Sequence, residues 1–169
     1  MSQEPRRILI VDDDPSLMDV LQQVLSAGGD AVITAINGAE AVIAAQNEAP
    51  ELILLDLGLP DADGKDIVAR IREFSTVPII VISARHQGAE KIAALDLGAD
   101  DFVHKPFDIE ELMARMRAAL RRTQQTSTPL THYVSGDLEI DLARRLITVM
   151  DQRVDVSPKE FQLLAALAR

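Results

Sequence analysis

Leu52-Ile53-Leu54-Leu55-Asp56-Leu57-Gly58-Leu59-Pro60-Asp61 is the stretch of sequence that decides the fold. Four consecutive apolar residues followed by turn-forming residues are typical of a strand buried on both faces, as in a parallel sheet. Asp56 stands at the carboxyl end of this strand, the edge at which open parallel sheets bind their ligands. Taken alone, Asp56 is either a carboxylate that caps a helix or a loop, which is the commoner case, or a residue of a site.

The flanking segments repeat the pattern of a short apolar strand followed by an amphipathic helix. Further strands are predicted at Ile8–Val11, Ala31–Ala35, Val77–Ser83 and Asp101–His104. Helices are predicted after Pro15, near Ala39–Ala49, after Gly64 with Phe74 turned inward, at Gln87–Leu97 and after Asp108. A strand and a helix thus alternate five times, which predicts a doubly wound, five-stranded parallel (βα)5 domain of the α/β class, covered by helices on both faces.

The pattern changes after residue 122. Thr123–Thr131 is polar and lacks periodicity, so we interpret residues 123–132 as a linker. Alternation at 138–142, together with Leu146–Val149 and Arg153–Val156, predicts short antiparallel strands. Ser157 then caps a helix that begins with Pro158 and carries Glu160 at its third position. A strand meander with one helix closes little core, so we expect residues 133–169 to be an incomplete second domain.

Composition limits the classes of function. The chain has 169 residues, of which 47% are hydrophobic and 26% charged, as in an ordinary globular protein. It contains no cysteine, which excludes disulfides and thiolate metal sites. A net charge of −10 argues against nucleic-acid binding by the chain as a whole. No signal peptide or membrane span is predicted, so we expect a cytoplasmic protein that does not contact membranes.

Polar residues follow four of the predicted strands and should meet at one edge of the sheet. They are Asp12 and Asp13, Asp56, Ser83 and Lys105. Three carboxylates in close contact repel one another unless a cation is bound, and an all-oxygen ligand set suits Mg²⁺. Lys105 offers a compact positive charge for phosphate oxygens, and Ser83 offers a hydroxyl donor. The set predicts an aspartate that takes up a phosphoryl group as a nucleophile.

Residues 5–122 resemble the receiver domain of two-component response regulators, whose fold is flavodoxin-like and CheY-like. The resemblance is carried by Val11-Asp12-Asp13, by Leu54–Asp61 with Gly64, by Ser83-Ala84, and by Gly98–Phe102 with Lys105-Pro106-Phe107. It implies that Asp56 accepts a phosphoryl group from a sensor histidine kinase. It also implies that Mg²⁺ is held by the side chains of Asp13 and Asp56 and the carbonyl of Gly58, with Asp12 acting through a bound water.

The same resemblance implies a switch beside the acceptor. Ser83 and Phe102 would be the switch pair: the hydroxyl moves onto the phosphoryl group while the ring turns inward. Ala84 would lie at the phosphoryl-binding position that follows Ser83, and Lys105 would bridge to the phosphoryl oxygens. The Lys105–Pro106 bond is expected to be cis. Phe102 replaces the commoner tyrosine of the family, so the hydroxyl group is missing.

Seven charged residues alternate in sign along the fourth helix, fifth strand and fifth helix: Lys91, Asp96, Asp100, Asp101, Glu111, Arg115 and Arg122. From spacing alone, this is a solvated face with marginal ion pairs. The pattern is similar to the OmpR/PhoB subfamily, in which active receivers pair two-fold symmetrically through this face. The resemblance therefore implies a homodimer that forms on phosphorylation.

Residues 133–169 resemble the start of the winged-helix effector domain of that subfamily. We expect its recognition helix and wing to follow Arg169, so promoter DNA would be a partner only of a full-length protein. Within the subfamily, the chain looks most like regulators of the Kdp potassium-uptake operon, on the evidence of Asp56–Asp61, Val77-Pro78 with Ser83-Ala84-Arg85, and Lys91–Asp101.

The leading interpretation is thus a transcriptional response regulator controlled by phosphorylation, and not an enzyme beyond phosphorylation and dephosphorylation of its own Asp56. One alternative is a receiver that serves only as a protein-interaction module. Another is a magnesium-dependent phosphohydrolase with an aspartyl-phosphate. Many such enzymes carry a second acid two residues after the nucleophile, and Gly58 at this position argues against it.

Overall fold

The computed structural model describes residues 4–127, 132–141 and 146–167. The chain divides into two compact units, Met1–Thr123 and Gln124–Arg169. In chain order, the first unit is built from β1 (Arg7–Val11), α1 (Pro15–Ala27), β2 (Ala31–Ala35), α2 (Gly38–Asn47), β3 (Leu52–Asp56), α3 (Gly64–Arg72), β4 (Ile79–Ser83), α4 (Gly88–Asp96), β5 (Asp101–His104) and α5 (Ile109–Ser127), whose last four residues are assigned to the second unit. The predicted alternation of five strands and five helices is confirmed.

The five strands form one parallel sheet in the order β2-β1-β3-β4-β5. Every residue of β3 and β4 is buried, as the continuous apolar runs predicted. Alternate strand residues pack into two separate apolar clusters. One contains Leu9 and Ile53 with residues of α2, α3 and α4, and the other contains Ile10 and Leu54 with residues of α1 and α5. Because both faces are covered, the polar residues collect at the strand ends.

Short side chains fix where the helices begin. Asp14, Asn37 and Asp63 are the N-caps of α1, α2 and α3, and each accepts hydrogen bonds from backbone N–H groups of the first turn. Gly98, which follows the end of α4, has a φ angle of +116°, a conformation that favours glycine. These residues set the loop lengths that bring the strand ends together.

Two sequence predictions at helix ends are wrong in detail. Phe74 was expected to face inward, but α3 ends at Arg72 and the ring is 42% exposed. The predicted linker begins inside a helix, because α5 continues through Ser127, and the Thr123 hydroxyl donates to the Ala119 carbonyl (3.2 Å). The remainder of that segment, residues 128–131, lies outside the described residues. Polar residues without an apolar stripe gave no signal for this helical extension.

The second unit is an antiparallel sheet followed by a helix: β6 (His132–Ser135), β7 (Leu138–Asp141), β8 (Leu146–Val149), β9 (Gln152–Arg153) and α6 (Pro158–Leu167). Ile140 and Ile147 face each other across β7 and β8 and are both buried. The predicted strand at Arg153–Val156 is wrong, since β9 ends at Arg153. The start of α6 is as predicted: the Ser157 N–H donates to Glu160 Oε2 (2.8 Å), and the Glu160 N–H donates to Ser157 Oγ (3.3 Å).

The extra antiparallel strands match the predicted change of architecture after the parallel domain. That residues 133–169 belong to a DNA-binding effector domain stays a prediction. Within the described ranges, no helix combines the length and the apolar character needed to cross a bilayer.

Gly64 is the tightest backbone position near the end of β3, and substituting it should destabilise the fold. A Cβ atom there would lie 2.5 Å from the Asp56 carbonyl oxygen and 2.6 Å from Leu57 Cα, both backbone atoms. We expect Gly64→Ala to lower the free energy of unfolding by about 1–3 kcal/mol, measured by urea denaturation. Gly88→Ala is the matched control, because nothing lies within 4 Å of a Cβ at that position. Equal stability of the two variants would contradict the assigned loop geometry.

Candidate functional site

Three carboxylates meet at the carboxyl edge of the parallel sheet. Asp12 and Asp13 follow β1, and Asp56 is the last residue of β3, the neighbouring strand. One oxygen from each side chain lies within 4.8 Å of the other two. Asp12 and Asp56 are buried, with 3% and 8% of their surface exposed, whereas Asp13 is exposed. The structure therefore places one face of the acidic cluster in the sheet edge and the other towards solvent.

Lys105 provides the cation that this cluster requires. Its Nζ lies 2.7 Å from Asp12 Oδ2 and 3.4 Å from Asp56 Oδ2. Burial on its own lowers the pKa of Lys105, but the hydrogen bond to Asp12 and the charge of Asp56 outweigh it, and the pKa lies above its usual value. The amine thus stays protonated. The following Lys105–Pro106 peptide bond is cis, as the resemblance implied.

The donor set fits a hard divalent cation. Asp12 Oδ1 accepts from the Asp14 N–H (2.9 Å) and Asp56 Oδ1 accepts from the Gly58 N–H (3.1 Å), so backbone contacts hold both carboxylates in place. The exposed Asp13 carboxylate and the exposed residue Gly58 complete the predicted ligand set on the solvent side. Carboxylate and carbonyl oxygens are the ligands that Mg²⁺ takes in proteins. The arrangement can hold such an ion beside Asp56.

The two predicted switch residues lie on adjacent strands. Ser83 is the last residue of β4 and is 1% exposed, and its Oγ accepts from the Arg85 N–H (3.1 Å). Phe102 on β5 is 3% exposed, so its ring points into the core in this structure. The Phe102 ring also contacts His104 with centroids 5.0 Å apart, and His104 stacks on His86 at 5.7 Å. Ala84, between Ser83 and Arg85, is exposed.

A cluster of two cations and two anions beside the site was missed from the sequence. Arg85 Nη1 lies 3.1 Å from both Asp63 Oδ2 and Glu90 Oε2, and Lys65 Nζ lies 2.9 Å from Glu90. The contact with Lys65 and then that with Arg85 lower the pKa of Glu90. Burial by itself raises the pKa of Asp63. The hydrogen bonds from the Lys65 N–H and from Arg85 outweigh burial, so the pKa lies below its usual value. The cluster ties the loop after β4 to the starts of α3 and α4.

The seven residues of the predicted charged face are not all brought together. Arg115 Nη1 contacts both carboxylate oxygens of Asp101 (3.0 Å each), and Nη2 contacts Glu111 (3.0 Å). Hydrogen bonds to Asp101 and then to Glu111 raise the pKa of Arg115. Lys91 and Asp96 are exposed on α4, and Arg122 is exposed on α5.

Asp100 is held in a separate network at the amino ends of β4 and β5, away from the acidic cluster. Its Oδ2 accepts from Arg72 Nη2 (2.9 Å) and from the Ile79 N–H (2.8 Å). The same guanidinium donates from Nε to the Gly98 carbonyl (2.9 Å) and from Nη1 to carbonyls of the segment that follows α3. This network joins the end of α3 to the end of α4, and the sequence pattern gave no sign of it.

Comparisons with known proteins agree with this geometry. A family model described as the response regulator receiver domain matches residues 8–117. The KDP operon transcriptional regulatory protein KdpE of Escherichia coli (strain K12) is 44% identical over 160 residues, which are 95% of this chain and 71% of that protein.

Solved structures show the same fold. A CheY-like response regulator receiver domain protein from Methanospirillum hungatei JF-1 superposes with a TM-score of 0.71 at 27% identity, covering 73% of this chain and 99% of that one. DrrB of Thermotoga maritima, described as an OmpR/PhoB homolog, superposes with a TM-score of 0.62 at 28% identity, covering 97% of this chain and 72% of that one.

Removing the positive charge of Lys105 should leave the repulsion between the carboxylates of the site unbalanced. We expect Lys105→Met to lower the free energy of unfolding by about 1–3 kcal/mol, because buried Asp12 loses its hydrogen-bonded partner. Chemical denaturation without divalent ions measures the loss. The control is Lys91→Met, which removes one positive charge from an exposed position on α4. A Lys105→Met protein as stable as the Lys91→Met protein would show that Lys105 does not balance the carboxylates.

Proposed function

The chain belongs to the response regulators of two-component systems, and on that basis we propose that Asp56 accepts a phosphoryl group from a sensor histidine kinase. One observation carries the proposal: carboxylate oxygens of Asp12, Asp13 and Asp56 lie within 4.8 Å of one another, beside the Lys105 amine. A carboxylate nucleophile needs compensation for the negative charge of the arriving phosphoryl group. A bound cation and an adjacent lysine supply that compensation.

Mg²⁺ is the proposed cofactor. The side chains of Asp13 and Asp56 and the carbonyl of Gly58 would hold the ion, and Asp12 would act through a bound water. When bound, the ion neutralises charge on the phosphoryl oxygens. In the transfer, a carboxylate oxygen of Asp56 bonds to phosphorus while the phosphorus–nitrogen bond of the kinase phosphohistidine breaks. Lys105 then keeps its contact with the site through the phosphoryl oxygens.

The proposed switch begins at Ser83. Its hydroxyl would turn from the Arg85 N–H towards the phosphoryl group, with the adjacent Ala84 at the phosphoryl-binding position, and the loop that carries Arg85 would move with it. Phe102 is the second member of the proposed switch pair, and its ring is already buried in this structure. Arg85 contacts Glu90 in the first turn of α4, and this contact links the acceptor to α4.

We propose that phosphorylation promotes a homodimer through α4, β5 and α5, and that the dimer regulates transcription. The face presents the ion pairs of Arg115 with Asp101 and Glu111, next to α4 on which Ile92 is 61% exposed. Pairing would exchange these contacts within one chain for contacts between two chains. Residues 133–169 would be the first part of the effector domain, with promoter DNA as the ligand of the full-length protein and the cytoplasm as its location.

Replacement of the acceptor tests the chemistry directly. Asp56→Asn should abolish labelling by acetyl phosphate in the presence of Mg²⁺, because the amide cannot attack phosphorus. Incorporation of hydroxylamine-labile phosphate into the purified chain measures the reaction. Asp66→Asn, at an exposed position on α3, is the control and should label like the wild type. Undiminished hydroxylamine-labile label in Asp56→Asn would exclude Asp56 as the acceptor.

The charged face can be tested separately from the chemistry. Arg115→Ala should weaken the dimer formed with beryllofluoride, a phosphoryl mimic, without reducing labelling at Asp56. A two-fold interface contains each pair twice, so a loss of about 0.7 kcal/mol per copy weakens dimerisation roughly tenfold. Analytical ultracentrifugation measures the dissociation constant, with Arg117→Ala, an exposed position on the same helix, as the control. An unchanged constant would place the interface elsewhere.

A further inference from the structure

The loop between β3 and α3 carries part of the predicted metal site. It begins directly after Asp56, and it contains Gly58, whose carbonyl is a proposed ligand. The base of the loop is closed by the Gly64 N–H, which donates to the Leu57 carbonyl (2.9 Å), and by an antiparallel bridge between Gly58 and Asp63. These contacts hold the two ends of the loop, but they do not hold its tip.

Asp61 fixes the tip of the loop to a different element. Its Oδ1 accepts from the Gly38 N–H (2.7 Å) and its Oδ2 accepts from the Ala39 N–H (3.0 Å), at the start of α2. The hydrogen bonds from Gly38 and then from Ala39 lower the pKa of Asp61, so the side chain is a carboxylate at neutral pH. Both oxygens of one exposed aspartate are thus used in contacts that span more than twenty residues of sequence.

The approach of the loop to α2 is close. A Cβ atom at Gly38 would lie 2.7 Å from Ile67 Cδ1 and 3.3 Å from Asp61 Oδ1. Because Gly38 has no side chain, both Ile67 of α3 and the Asp61 carboxylate can approach the backbone at the start of α2. Leu59, two residues before Asp61, is 9% exposed and anchors the loop on its apolar side. With Asp61 on the polar side, the loop is held from two directions.

We propose that Asp61 is a positioning residue for phosphoryl acceptance, which holds the Gly58 carbonyl in place for the metal by tying its loop to α2. The inference rests on the proposed magnesium-dependent function of Asp56. Asp61 touches neither the acceptor nor the predicted ligands, and it acts through the backbone between residues 58 and 61. Its role is separable from helix capping, because α2 has a second cap that lies outside this loop.

That second cap supplies the matched control. Asn37 Oδ1 accepts from the Glu40 N–H (2.8 Å) at the same end of α2. Asp61→Ala and Asn37→Ala each remove a side-chain cap of α2, and each should lower the thermal midpoint by a few degrees. Only Asp61→Ala also removes the tie between α2 and the tip of the loop that carries Gly58. A purely structural role of Asp61 in capping α2 would make the two variants alike in every other measurement.

The first measurement is made without metal. Amide hydrogen exchange followed by NMR should show the Gly58 and Gly64 amides exchanging roughly fivefold faster in Asp61→Ala than in Asn37→Ala. The second is an NMR titration with Mg²⁺, in which Asp61→Ala should bind about tenfold more weakly than wild type, and Asn37→Ala should bind like wild type. Asp61→Asn, which keeps one acceptor oxygen, should recover part of the affinity and replaces Asp61→Ala if that variant does not fold.

The outcomes separate this inference from the proposed function. Equal exchange and equal Mg²⁺ affinity of the Asp61 and Asn37 variants would overturn the positioning role while leaving the acceptor site intact. A wild-type chain that binds no Mg²⁺ would overturn the proposed function, and the exchange data would still decide whether Asp61 orders the loop. Faster exchange with unchanged affinity would also overturn the proposal, because the Gly58 carbonyl would then not depend on Asp61.

Discussion

The attraction of one lysine for two buried aspartates is the interaction on which this site depends. Asp12 and Asp56 come from neighbouring strands, so the parallel sheet forces their carboxylates together whether or not an ion is bound. Lys105 reaches both, at 2.7 Å and 3.4 Å, from a third strand end. Four separate crossovers of the chain, from β1 to β5, must be completed before this balance of charge exists. The charge balance of the site therefore depends on the complete strand order of the sheet.

Around that centre, the contacts divide by position in the sheet. On both faces of the sheet, the packing against the helices is apolar and continuous. At the carboxyl ends of the strands, the loops are joined by hydrogen bonds and ion pairs. Arg85 connects the loop after β4 to Asp63 at the start of α3 and to Glu90 in α4, and Asp61 connects the loop between β3 and α3 to α2. Exposed ion pairs contribute little to stability one by one. Their effect here is to fix which loop conformation accompanies the buried sheet.

The sequence was sufficient for features that depend on local pattern or on strand ends. Apolar runs located β3 and β4, and the residues after each strand located Asp12, Asp56, Ser83 and Lys105. It was insufficient where partners are distant in sequence and carry no periodic signal. Neither Arg72 with Asp100 nor Lys65 with Glu90 has a spacing that marks the pair, because the fold alone brings them together. The extension of α5 past Thr123 was missed for a related reason: its residues are polar and bury no stripe.

The network around Arg72 has a mechanical consequence. One guanidinium fastens the Gly98 carbonyl and Asp100 to the end of α3, so the carboxyl end of α4 is fixed to the body of the receiver. In α4 itself, Ala94 is buried whereas Ile92 and Leu95 are exposed, so little apolar packing resists rotation of the helix. The two ends of α4 are thus held by different kinds of contact: hydrogen bonds from Arg72 at the carboxyl end, and at the amino end the ion pairs of Glu90 with Lys65 and Arg85.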